Sequence, residues 1–157
     1  MKKLTLDRLM NRLSLLLLLG TAAFLAVYWR HIPEEVPMHF NAAGEIDRWG
    51  RRADLLPLPV LSWLMYGLVT AMELILGALG SGTWTEEGRR ERALALLRHM
   101  ASTMKLLLTV VFSWITLCCA LARALPTWFL PAMLAAVFGN LLFWVLRLLL
   151  PGRPRGA

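Results

Sequence analysis

Apolar residues in this chain fall into four long blocks separated by short polar segments. The first block runs from Leu13 to Trp29, with Ser14 and Thr21 as polar interruptions. Seventeen residues at a rise of 1.5 Å reach about 25 Å, the short end for a membrane span. The second begins near Leu55 and runs to Leu79, where Gly80-Ser81-Gly82 stops it. Pro57 and Pro59 fall in its first turn, where a missing N–H costs little. A third block covers about 106–125, ending at Arg123 and Pro126, and a fourth about 128–150. The charged stretch 83–102 is helix-prone. Leu94, Leu97, Ala101 and Met104 share one face there, so it should lead directly into the third span. The pattern predicts an all-α integral membrane protein: a four-transmembrane-helix bundle with an ordered extracytoplasmic loop between helices 1 and 2. Residues 1–150 form a single domain in this reading, with spans at about 13–29, 55–79, 106–125 and 128–150. Residues 151–157 read as a disordered basic tail.

The loop is the long polar segment with special residue chemistry. Between Arg30 and Asp54, Pro33, Pro37 and Gly44 punctuate the chain and argue against a continuous helix. Val36 to Phe40 reads as extended, and Asn41-Ala42-Ala43-Gly44 as a turn, which together suggest a hairpin-like loop on the membrane surface. Proline restricts the backbone on entry, Gly44 can take a positive φ, and Asp47 can accept backbone N–H groups in a tight turn. Ile32, Phe40 and Trp49 are its apolar contacts, with Phe40 and Trp49 expected to anchor it against the bundle or the interface. His39 is expected near the carboxylate of Glu45 or Asp47. Such a segment is either a lid that meets an external ligand or a cap on the helix ends.

Composition agrees with the membrane reading. The chain is 58% hydrophobic and 17% charged, against about 45–50% and 25% in soluble domains. The formal charge of +7 comes from residues flanking the apolar blocks, as at a cytoplasmic membrane face, and no nucleic-acid motif accompanies it. The N-terminal block could be a cleaved signal peptide, since Thr21-Ala22-Ala23 offers small residues. Its apolar run continues past them to Tyr28-Trp29, which favours an uncleaved first helix. Four spans put both ends on one side. Lysine and arginine number twelve on that side and five on the other, so both termini are expected in the cytoplasm and the loop outside. Cys118 and Cys119 are adjacent inside an apolar run and read as small packing residues.

Glu73 stands inside the second span, where a carboxylate must face protein. Ser62, Tyr66, Thr70, Glu73 and Gly77 share its helical face, and Lys105, Thr109, Ser113 and Thr116 form a matching stripe. Asn140 and Arg147 share a face of the fourth span. Lys105 or Arg147 is within reach of Glu73 in depth. The pairing is either an interhelical tie or the ion site of a small proton-coupled transporter or channel. A third reading is a structural subunit of a larger membrane complex. His39, Glu45 and Asp47 include metal-ligand types, but no second histidine stands at ligand spacing, so neither a metal nor a cofactor is expected. No hydrolase, P-loop or dinucleotide fingerprint is present, so an enzyme is not expected.

The order Ile32-Pro33, Val36-Pro37, His39-Phe40-Asn41, Gly44-Glu45, Asp47-Arg48-Trp49-Gly50 resembles the signature of the membrane family catalogued as domain of unknown function 1648. That family includes the SdpI-type immunity proteins of Gram-positive bacteria. The resemblance makes Pro37, His39, Phe40, Asn41, Gly44, Asp47, Arg48, Trp49 and Gly50 the motif loop. It implies a multi-pass protein of the bacterial cytoplasmic (inner) membrane that senses or resists an extracellular peptide toxin or envelope stress. Its partners would be the lipid bilayer and that peptide, with no nucleic acid and an unspecified oligomeric state.

Overall fold

The computed structural model describes residues 3–79 and 87–150, with the side chains of 3–5 and 87–89 excepted. Helix α1 spans Lys3–Tyr28 and ends in a 3-10 turn, Trp29–His31. Strands β1 (Glu35–Phe40) and β2 (Ile46–Arg51) form an antiparallel hairpin, and a second 3-10 turn, Arg52–Leu55, leads into helix α2, Pro57–Leu79. Helix α3 covers Glu87–Ala120 and helix α4 Phe129–Leu149. Among the described residues, four helices are long and apolar enough to cross a membrane. The basic head expected before the first span is helical from Lys3, and α3 ends at Ala120, not near 125. From Glu87 onward the charged stretch and the third span are one helix, as the shared face of Leu94, Leu97, Ala101 and Met104 suggests. The Gly80-Ser81-Gly82 stop and the tail 151–157 lie outside the described residues.

Helix α3 is the hub. It packs against α2, α1 and α4, whereas among the described residues α4 packs on no other helix. The burial pattern is inverted relative to a soluble protein. Large apolar side chains such as Leu16, Leu74 and Phe138 face outward, while Ser14, Ser62, Glu73, Ser102, Lys105, Thr109, Ser113 and Thr116 are buried. Lipid is the natural solvent for such a surface, and small polar residues between helices let backbones approach. Most of these hydroxyls bond within their own helix: Ser14 to the Met10 carbonyl, Ser62 to Leu58, Thr109 to Lys105 and Thr116 to Phe112, at 2.7–2.9 Å. They can therefore be buried without a partner on a neighbouring helix.

The end of α3 carries a local strain. Arg123 N–H bonds to the Cys118 carbonyl at 2.9 Å and Ala122 N–H to Cys119 at 3.1 Å, the Schellman closure. The residue between must be left-handed, and Ala122 has φ 50°, a conformation glycine adopts without a Cβ clash. Ala122→Gly is expected to raise stability by roughly 0.5–1 kcal/mol, read as a higher unfolding midpoint in nanodiscs. An unchanged or lower midpoint would contradict it.

Candidate functional site

The hairpin lies across one end of the bundle. Val36 on β1 is fully buried with Ile32, Leu55, Leu25 of α1 and Cys119 and Ala120 of α3, and Phe40 and Met38 pack at the margin. Three polar clamps add to this apolar face. The Arg52 guanidinium donates to the Trp29 and Ile32 carbonyls at 3.3 Å and stands 5.4 Å over the Trp29 ring. The Arg52 N–H reaches the Glu34 carbonyl at 2.8 Å. At the tip, Leu125 N–H from the α3–α4 connection donates to the Gly44 carbonyl at 2.9 Å.

The tip is built as its residue types suggest. Gly44 N–H closes on the Asn41 carbonyl at 2.9 Å, with Gly44 at φ 84°. The Asn41 side-chain oxygen accepts from Ala43 and Glu45 N–H, and its amide donates to the Glu45 carboxylate at 2.8 Å. That leaves Asp47 for His39, whose Nδ1 lies 2.6 Å from Oδ1, both side chains being largely exposed. Asp54 Oδ2 accepts from Arg51 N–H at 2.8 Å. Trp49 does not join the buried cluster against the bundle. It is 49% exposed: Gly50, not Trp49, stands opposite the buried Val36 in the ladder, and Trp49 shares the other face with Pro37. Asp47 meets His39, and the turn N–H groups expected on it go to the Asn41 side-chain oxygen instead.

A second polar group lies deep in the bundle. Lys105, 1% exposed, donates to Glu73 Oε2 at 2.8 Å and to Thr70 Oγ1 at 3.1 Å, and its ammonium sits 4.9 Å from the Tyr66 ring centroid. Asn11 of α1 donates to the same Glu73 oxygen at 3.1 Å. Counted from the hairpin ends of their helices, Asn11, Glu73 and Lys105 lie about 22–26 Å away at 1.5 Å per residue. In a hydrocarbon core of about 30 Å this places them near the far boundary. One step beyond, Asp7 Oδ1 meets His99 Nδ1 at 2.5 Å and accepts from Ser102 Oγ at 3.3 Å. Trp144 of α4 donates to Thr103 Oγ1 at 3.0 Å. The layer thus ties all four helices.

Of the residues singled out in the spans, Glu73 and Lys105 come together, and Arg147 does not join them. Its guanidinium lies over Phe143, while its carbonyl accepts from Arg92 at 3.4 Å. Asn140 bonds to Trp144 within α4 at 3.1 Å. Neither is bonded to Glu73, and among the described residues α4 packs on α3 and not on α2. Asp7, Asn11 and His99 were not singled out as members of this layer. The available signal was the spacing of Asp7, Asn11, Ser14 and Leu18, which share one face of α1.

Four membrane-length helices, an inverted burial pattern and a clamped terminal hairpin define a multi-pass membrane protein. Residues 16–62, from the middle of α1 through the hairpin into α2, match the family described as Domain of unknown function (DUF1648). No curated protein and no solved structure matches the chain.

Proposed function

We propose that this is a bacterial cytoplasmic-membrane protein that senses or resists an extracellular peptide or envelope stress, with the hairpin as its outward recognition surface and both termini cytoplasmic. The observation that carries the reading is the hairpin itself. Apolar packing and polar clamps hold it across the helix ends, yet His39, Asp47, Arg48 and Trp49 face outward. A rigid scaffold presenting polar and aromatic residues from a loop is a common arrangement for binding. The resemblance to SdpI-type immunity proteins points the same way, and the DUF1648 match covers this segment. The buried pair supports a fixed interhelical tie over a transport site, since Lys105 is engaged by Glu73, Thr70 and the Tyr66 ring.

Cysteine at position 43, in a background with Cys118→Ala and Cys119→Ala, should react with an impermeant reagent on intact cells, and cysteine at position 87 should not. The reverse pattern would invert the orientation. Expression in a sensitive bacterium should raise the inhibitory concentration of a secreted membrane-active peptide. Trp49→Ala and His39→Ala should remove that protection at equal protein level. Full protection by both variants would rule out the hairpin as the recognition surface. Protection lost only in Glu73→Gln would favour the transporter reading.

A further inference from the structure

Arg98 of α3 lies toward the end of the bundle opposite the hairpin. Its guanidinium rests over Gly77 of α2, in the seam between the two helices. A Cβ added at Gly77 would stand 3.8 Å from the Arg98 Cζ and from one terminal nitrogen. The residue is partly buried. Arg92, on the same helix, finds acceptors in the Arg147 and Leu150 carbonyls. Arg98 finds none among the described residues, and no carboxylate pairs with it there. A guanidinium carries five N–H donors, and withdrawing them from water without an acceptor is costly.

The carboxylates near this end are already committed. Asp7 is held by His99 and Glu73 by Lys105. Among the described side chains that leaves Glu91, which is exposed and about two turns away along α3. Against it stand Arg8, Arg12, Arg90, Arg92, Arg98 and Arg147, none with an ion-pair partner among the described residues. The acceptor that suits Arg98 is therefore an anion from outside the chain.

Depth says which anion. Counted from the hairpin ends of their helices, Gly77 and Arg98 lie about 30–33 Å away at 1.5 Å per residue. A hydrocarbon core of about 30 Å ends at that level, where lipid phosphates begin. The neighbouring surface of α2 is apolar, with Leu74, Ile75 and Leu79 exposed. A guanidinium at the boundary beside an apolar strip matches a phospholipid, which brings a phosphate to the first and acyl chains to the second. The N–H fork fits two phosphate oxygens at once. The surplus of positive charge at this end favours a headgroup with net negative charge over a zwitterionic one.

We propose that Arg98, laid over Gly77 in the α2–α3 seam, holds the phosphate of an anionic phospholipid whose acyl chains lie along α2. This inference depends neither on what the hairpin recognises nor on which side of the membrane it faces.

The test is a titration of the full chain, held in phosphatidylcholine discs, with phosphatidylglycerol, followed by native mass spectrometry of the lipid retained. Wild-type protein should retain phosphatidylglycerol in preference to phosphatidylcholine. Arg98→Gln should weaken that binding by about tenfold or more, the worth of a hydrogen-bonded charge. Arg90→Gln removes the same charge more than two turns further out along α3 and should leave binding unchanged. Gly77→Leu keeps every charge but fills the spot beneath the guanidinium, so it should weaken binding as Arg98→Gln does. It decides the matter if Arg98→Gln fails to fold. Wild-type protein with no preference between the two lipids would overturn the proposal. So would full binding by Gly77→Leu, or equal losses in Arg98→Gln and Arg90→Gln, which would make the attraction diffuse. Inorganic phosphate that displaces the lipid at equal concentration would assign the seam to a free anion and overturn it as well.

Discussion

Lys105→Met is expected to destabilise the bundle by about 3–5 kcal/mol, the cost of leaving one member of a buried ion pair without its partner. Lys105 is almost fully enclosed, and Glu73 Oε2 is its carboxylate partner. Removing the ammonium leaves Glu73 with only the Asn11 amide. The carboxylate then stays buried in the α2–α3 seam without its counter-charge. The double variant Glu73→Met/Lys105→Met removes both charges together and should recover most of the loss, since a buried pair replaced by apolar side chains of similar volume is often neutral. Reversible unfolding in nanodiscs, followed by tryptophan fluorescence, checks both. If Lys105→Met is as stable as the double variant, the pair is not the tie described above.

The second large effect is expected at Gly44. Its φ of 84° suits glycine, and a Cβ there would overlap the Leu125 carbonyl. Gly44→Ala combines a left-handed penalty of about 1–2 kcal/mol with displacement of the α3–α4 connection. The total is expected at roughly 2–4 kcal/mol, with the lost hydrogen bond from Leu125 included. The damage should stay local. Hydrogen exchange should quicken at Leu125 and through 40–51, while amides in the middle of α2 and α3 keep their protection. Ala43→Val, at an exposed neighbouring position, is the control. Unchanged exchange at Leu125 in Gly44→Ala would mean that the tip is not pinned there.

The loop was legible in its turn chemistry. Asn41 and Gly44 make the turn for the reasons their side chains suggest, and the extended entry at Val36 is β1. A hairpin was expected here, but its irregular register was not legible. The shifts around His39 free Asp47 to meet His39, and nothing local dictates that choice. Trp49 shows the limit of reading burial from residue type. A large aromatic was expected against the bundle or the interface, and its place in the ladder, opposite Pro37 and not Val36, keeps it out of the buried cluster.

The sequence alone determined the number and rough placement of the spans. A helix in lipid needs about twenty apolar residues in a row, and that requirement is local. It also determined that Glu73 needs a polar neighbour, because an isolated carboxylate in hydrocarbon is costly wherever the helix sits. The tertiary structure decided which neighbour. The polar stripes of the second and third spans marked the faces turned inward, but a stripe does not say which helix it will meet, so helix order and depth follow from packing. Placing α3 at the centre brought Lys105 to Glu73 and Asp7 to His99, and left α4 on the outside with Arg147 turned away.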